Sequence, residues 1–389
     1  MHYSNLRDSK GAVIGLRCQD GWIADIGAHL SSGGDMDGEG RLLMPAFTEP
    51  HCHLDKTLWG EPWHAPGAGP ELRDYIENER RVLSACKTPI AERAGRMISQ
   101  MLAYGTTAIR SHVDIAPDMG LSHVEAMIEL KAAWADRIDL QLVAFPQQGF
   151  LTKPGTQALV REAMQLGVDV VGGLDPAGID GDPEGQLSAI FELATEFDRD
   201  VDIHLHDPDQ LGAWQIARIA DFTEEANWGG RVMVSHGYCL GAIPDKQLDR
   251  IGRRLADLSI SVMTTAPADT TVPPIARLTD LGVNMCCGSD GIRDAWSPFG
   301  NGDLLERAFL AAYRFDWNSD PEFALALDCT TVNAARAIGR DARGLVAGAQ
   351  ADFIMIDAQS PGDALCRRPG ARRVVRAGRI VADDGRLLV

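Results

Sequence analysis

The chain has 389 residues, 45% of them hydrophobic and 24% charged, an ordinary globular composition that excludes collagen, coiled coil and wholesale disorder. It carries 37 Lys and Arg against 55 Asp and Glu, a formal charge of -18, so a phosphate backbone would be repelled and no nucleic-acid partner is expected. The expected partner is a small molecule, neutral or bound in a locally positive pocket.

The chain opens without a basic segment leading into an apolar run, and no stretch approaches about 18 uninterrupted apolar residues. A cytoplasmic protein without a membrane span is therefore expected. Residues 1–45 hold short apolar runs, such as Ala12-Val13-Ile14-Gly15-Leu16, between Gly and Asp turns, which is the pattern of short strands. Residues 345–389 look alike, with strand-like runs over 351–357 and 373–381. Two strand-rich ends around a different middle predict one small β-sandwich domain assembled from both ends.

In the middle, 46–344, eight β-branched runs alternate with segments of helical period. The predicted strands cover 46–53, 106–114, 140–147, 168–175, 201–207, 231–237, 260–267 and 283–290. Helical spacing is clear over 90–104, 157–166 and 185–197. Eight such units make an α/β fold, a (β/α)8 TIM barrel, the economical architecture, and about 250 residues suffice for one. Eight Cys without a CxxC pair exclude a disulfide scaffold or a Cys-clustered metal; Cys52, Cys239, Cys286 and Cys287 are read as packing. Gly172-Gly173 and Gly300-Asn301-Gly302 lack the flanking residues of a phosphate cradle and are read as turns.

Polar groups at the C-terminal ends of barrel strands face the active site and read as chemistry. Here the predicted strands finish in His51-Cys52-His53, His112-Val113-Asp114, Gln147-Gln148, Asp175, His204-Leu205-His206-Asp207, Ser235-His236 and Ser289-Asp290. His51 and His53, two apart on a strand, share a face. His204 and His206 repeat the spacing, and Asp290 ends the eighth strand. Three imidazoles and a carboxylate would hold a divalent metal and leave a place for water.

At these residues the sequence resembles the metal-dependent amidohydrolase superfamily, over nearly its whole length. The stretches His51-Cys52-His53-Leu54-Asp55-Lys56, Arg110-Ser111-His112-Val113-Asp114 and Val143-Ala144-Phe145-Pro146-Gln147 resemble its cytosine deaminase-like branch. Residues 171–177, 202–207 and 289–303 are more similar still to the N-isopropylammelide isopropylamidohydrolases, which act on s-triazines. The resemblance implies one metal, most often zinc and in cytosine deaminases iron, held by His51, His53, His204 and Asp290. The fourth strand has no Lys to bridge a second metal.

The implied activity is hydrolytic removal of ammonia or an alkylamine from a pyrimidine-, triazine- or related N-heterocycle through a metal-bound hydroxide. Asp290 would be ligand and base, His236 would hydrogen-bond the oxygen that gains charge, and His206 would shuttle protons. Where cytosine deaminase has a shuttling Glu this chain has Asp207, one methylene shorter, which is assigned a supporting contact near the substrate. Lys56 would bind an oxo group or an anionic ring, against the alternative of a solvated loop Lys paired with Asp55. Gln147, or failing it Gln148, would read an amide edge. Trp296, with Trp59, Trp63, His64 and Phe299, would wall the pocket. His112 and Asp114 would support the metal surroundings or the barrel floor, and Arg293 and Asp294 are read as an ion pair shaping the last loop. Relatives also imply a homo-oligomer. Two alternatives stay open: a ring-opening cyclic amidohydrolase, and a non-catalytic scaffold of the same fold.

Overall fold

A computed structural model of the chain describes residues 1–69, 72–340 and 344–388, with residues 72 and 73 described in backbone only. Eight parallel strands form a sheet in sequence order: β1 (Phe47–Cys52), β2 (Thr106–Asp114), β3 (Asp139–Phe145), β4 (Val170–Leu174), β5 (Asp200–Leu205), β6 (Val232–His236), β7 (Ser261–Thr264) and β8 (Met285–Cys287). A parallel bridge between Cys52 and Asp290 brings the two outer strands together and closes the barrel. All eight predicted strands are present, with ends displaced by at most three residues.

The predicted helices appear as Ile90–Ala103, Thr156–Gln165 and Pro183–Phe197. The last starts as its sequence dictates, with Pro183 in its first turn and the Asp182 side chain accepting from Gly185 N. A helix that no predicted element covers, α1 (Leu72–Ala85), lies between β1 and β2. Cys52, Cys239, Cys286 and Cys287 are all buried, as packing requires. Among the described residues no helix is long and apolar enough to cross a membrane.

The chain ends contribute nine strands to a second sheet. Leu42–Pro45 and Phe353–Ile356 pair antiparallel at its centre, joining the two ends. Side chains alternate across these strands. Leu42, Met44, Ile354 and Ile356 pack with the barrel core, while Leu43, Phe353 and Met355 pack with Tyr3, Leu6, Leu16 and Ile23. One strand pair thus serves two cores.

Arg372, fully buried in this sheet, reaches the barrel: its Nη1 and Nη2 each lie 2.7 Å from an Asp303 carboxylate oxygen, and Nη1 also donates to Tyr104 O at 2.8 Å. Asp303 in turn caps the helix Leu304–Arg314. Breaking a buried bidentate pair strands a charge, at a cost of about 3 to 5 kcal/mol. Arg372→Met is expected to lose at least about 3 kcal/mol in urea unfolding. A loss under about 1 kcal/mol would place this pair with the weak, exposed kind.

Candidate active site

β1 and β5 deliver His51, His53 and His204 to one point, and Asp290, just past β8, joins them. The Asp290 Oδ1 lies 3.1 Å from His53 Nε2 and 3.6 Å from His51 Nε2, and His204 Nε2 is 3.5 Å from His53 Nε2. Candidate ligand atoms of His51, His53, His112 and His204 lie within 4.8 Å of one another, as do those of His51, His236 and Asp290. His51 Nε2 is buried without a hydrogen-bond partner. Burial, with the Lys56 charge, pulls His53 down to about 3, and burial holds His204 well below the imidazole range, so both are neutral. Burial opposes the ionised Asp290, but its close polar contacts with the His51 and His53 rings outweigh it and hold its carboxyl well below the usual range. Lone pairs and a carboxylate aimed at one another suit a divalent cation, and three imidazoles with one carboxylate are a donor set such ions accept.

The surroundings hold these rings in place. Ser235 Oγ donates to Asp202 Oδ1 at 2.7 Å and therefore accepts from His51 Nδ1 at 2.9 Å. That puts the His51 proton on Nδ1 and leaves the Nε2 lone pair free for the centre. Asp202, fully buried on β5, also meets Arg110 Nη1 at 3.3 Å and His112 Nε2 at 3.5 Å. The His112 ring lies 4.1 Å from that of His51, so it backs the cluster from the barrel floor. Phe145 stacks on His204, with ring centroids 4.1 Å apart.

Glu49 Oε1 accepts from His51 N at 3.1 Å and from Ser289 N at 3.0 Å, clamping β1 to the segment after β8. Gly288 is required there, because a Cβ would come within 2.9 Å of Glu49 Oε1 and of His51 O. Asp175, His236 and Asp290 take φ of 33°, 73° and 60°, strained conformations that turn strand-end side chains toward the mouth.

At that mouth His206 Nδ1 lies 2.7 Å from Asp175 Oδ2, and its ring is 4.3 Å from that of His236. Burial disfavours the protonated ring, but the Asp175 charge and hydrogen bond overcome this and raise His206 above the ordinary imidazole value. His236 Nδ1 faces the Tyr238 hydroxyl at 3.2 Å, and its Nε2 is buried and unpartnered. Asp207 is not brought into the cluster: its Oδ2 accepts from Gly178 N at 2.9 Å and from Gln215 Nε2 at 2.8 Å.

Lys56 is 2% exposed, not the solvated loop residue of the alternative reading. Its Nζ donates to Gln147 Oε1, lies 2.9 Å from Asp114 Oδ1 and 3.6 Å from Glu79 Oε2, and sits 5.3 Å from the Phe145 ring centroid. Burial opposes its charge, but Asp114 and Glu79 outweigh that and raise its pKa. Asp55, the partner of that alternative, binds His123 Nδ1 at 2.8 Å instead. Gln147 Nε2 donates to Glu79 Oε1 at 2.8 Å, and Trp296 Nε1 donates to Glu79 Oε2 at 2.5 Å. Burial raises Glu79 to about 7, against the pull of Lys56.

Glu79 is the functional residue that the sequence reading missed. It lies in the charged run 74–81, whose default reading is a solvated face. The signal was its register: Tyr75, Asn78, Glu79 and Val82 stand at i, i+3, i+4 and i+7, an apolar stripe interrupted by two polar residues that are both buried.

Other expectations are corrected. Trp63 and Phe299 are 64% and 79% exposed, so they do not wall a pocket. Arg293 does not pair with Asp294: its guanidinium lies over the rings of Trp59 and Trp63, 5.8 and 5.9 Å from their centroids. The Asp294 Oδ1 accepts from the Trp296 and Ser297 amides, each at 2.8 Å, which turns the carboxylate into its own loop. Gln148 meets Asp118 at 3.3 Å and lies apart from Lys56 and Glu79.

Residues 81–382 match the model of the amidohydrolase family. N-isopropylammelide isopropyl amidohydrolase of Pseudomonas sp. strain ADP is 32% identical over 361 residues, covering 90% of this chain and 88% of that protein. Among solved structures, N-isopropylammelide isopropylaminohydrolase from Burkholderia multivorans superposes with a TM-score of 0.95 at 37% identity, covering 100% of this chain and 99% of that one. The 5-methylcytosine deaminase from Klebsiella pneumoniae, liganded with 5-fluorocytosine, gives a TM-score of 0.87 at 29% identity, over 98% and 97% of the two chains.

Ser235→Ala removes the hydroxyl between His51 and Asp202 and leaves both polar groups short of a buried partner. Urea unfolding of the metal-free protein is expected to show a loss of about 1 to 3 kcal/mol. An unchanged midpoint would mean that this hydroxyl does not bind the two groups together.

Proposed function

The chain belongs to the amidohydrolase family, and on that premise we propose that it is a metal-dependent hydrolase removing ammonia or an alkylamine from a pyrimidine-, triazine- or related N-heterocycle. The observation that carries the proposal is the approach of His51, His53, His204 and Asp290 to one another at the barrel mouth, beside His236 and the His206–Asp175 pair. These four residues would hold one divalent ion, zinc in the first instance, with iron as the other candidate. β4 has no Lys for a second. When bound, the ion supplies a water acidic enough to lose a proton near neutral pH.

The chain's own residues do the rest. Asp290, with its side chain 38% exposed toward the mouth, receives the proton of the attacking water on a carboxylate oxygen. With the Tyr238 hydroxyl as donor to His236 Nδ1, 3.2 Å away, His236 would carry its proton on Nε2, and that N–H would stabilise the oxygen that gains charge as the ring carbon is attacked. Asp175 holds His206 by Nδ1, so its Nε2 carries protons to a ring nitrogen and then to the leaving amine. Asp207, engaged by Gly178 and Gln215, shapes this strand end and acts on substrate only through it. Lys56, Gln147 and Trp296 form the side that binds the ring.

The test is release of ammonia or amine from cytosine, isocytosine, 5-methylcytosine, ammelide, N-isopropylammelide, creatinine and pterins. A kcat/KM of about 10⁴ M⁻¹s⁻¹ or more on one of them is expected; silence across the panel counts against this substrate class. Asp290→Ala should abolish turnover, and a variant within a few-fold of wild type would remove Asp290 from the reaction. His206→Asn should slow turnover about a hundredfold, the usual scale of acid–base catalysis. If Asp207→Asn is the more damaging of the two, the proton shuttle is Asp207.

A further inference from the structure

Three groups that face the proposed ring-binding side meet on one carboxylate outside the barrel strands. Glu79 of α1 accepts from Gln147 Nε2 on Oε1 and from Trp296 Nε1 on Oε2, and Oε2 lies 3.6 Å from Lys56 Nζ. The rest of α1 reinforces the contact: Tyr75 stacks on Trp296 with centroids 5.2 Å apart, and Asn78 Nδ2 donates to Ala295 O at 3.2 Å. Glu79 is 2% exposed, so water does not substitute for these partners.

We propose that Glu79 is a positioning residue that orients the Gln147 amide and the Trp296 indole, and thereby makes the pocket selective for rings with a C(=O)–N–H edge. The inference rests on the heterocycle-hydrolase reading above for its substrate class.

Two donors arrive from different elements, and Glu79 meets each with a different oxygen. Only a carboxylate offers two; a carboxamide would turn an NH2 group against one of the donors. With Oε1 held by Lys56 and one Nε2 hydrogen held by Glu79, Gln147 cannot flip. What it retains is one oxygen lone pair and one N–H, an acceptor and a donor that match the N–H and C=O of a lactam edge. A buried site with fixed polar groups rejects rings that leave them unpaired. The indole of Trp296, anchored by the same carboxylate, is held at one angle against Tyr75.

Glu79→Gln, which keeps the shape, tests this by two readouts. In metal-free protein with ¹⁵N-labelled indoles, held above pH 7 so that Glu79 is ionised, the Trp296 N–H resonance, assigned with Trp296→Phe, is expected to move upfield as its charged acceptor is lost. In the active enzyme, KM for an oxo-substituted ring is expected to rise about tenfold or more, the scale of a buried hydrogen bond to a charged group, with kcat within a few-fold. The exchange variant Glu79→Gln with Gln147→Glu restores a donor–acceptor match between the two positions. It should leave the indole resonance where Glu79→Gln puts it, since the acceptor at 79 is still uncharged, while KM stays high because the N–H at position 147 is gone.

An unmoved resonance in Glu79→Gln, or an unmoved KM, overturns the inference. Should Glu79→Gln not fold, Glu79→Asp, which keeps two acceptor oxygens but draws them back by one methylene from Gln147 and Trp296, is held to the same two outcomes. A wild-type enzyme silent on every ring would sink the substrate class alone, because the resonance still decides whether Glu79 anchors Trp296.

Discussion

Everything at the barrel mouth depends on one costly arrangement, the aiming of imidazole lone pairs and a carboxylate at a common buried point. Left alone, such groups repel or recruit protons; a divalent cation makes them mutually favourable. The protein holds them against this tendency by over-determining each ring. Ser235 and Asp202 fix the His51 proton, Phe145 covers His204, and Glu49 ties the backbone of β1 to Ser289. The left-handed backbone at His236 and Asp290 is the same constraint expressed in φ. Strain of about 1 to 3 kcal/mol per residue persists only where surrounding contacts exceed it.

The second constraint is electrostatic. Around Lys56 lie Asp55, Asp114 and Glu79, with His123 on Asp55, in a region closed to water. Carboxylates outnumber cations there, which fits a chain of charge -18; burial first, and the neighbouring carboxylates after it, raise Glu79 to about 7, while the same carboxylates keep Lys56 firmly charged. The cluster ties α1, β2, the loop after β3 and the last barrel loop into one wall beside the histidines. In this account the histidines supply the chemistry and the wall supplies recognition.

Much of this was legible in the sequence, for definable reasons. Strand and helix periods are local, so the eight barrel strands emerged with only their ends displaced. His51-x-His53, His204 and Asp290 stand at strand ends, where a parallel barrel gathers residues distant in the chain, and the resemblance to the amidohydrolases picked His204 over His206 as the third imidazole. Lys56 and Gln147 were singled out by residue type and place. Glu79 was not, because its burial depends on how α1 docks against the last loop, a long-range contact with only a faint register signal. The Arg293–Asp294 pairing failed for a related reason: adjacent residues of opposite charge invite it, but backbone amides at 296 and 297 reach Asp294 first. Exposure of Trp63 and Phe299 likewise follows from loop paths that aromatic character alone does not reveal.

The central claim is that one divalent ion, held by His51, His53, His204 and Asp290, makes this barrel a hydrolase. The most direct measurement is a titration of chelator-stripped protein with Zn²⁺ or Fe²⁺, following bound metal and amine release together. Both are expected to rise in parallel and saturate at one ion per chain. Full activity in the stripped protein, or activity that appears only with a second equivalent, would contradict the account.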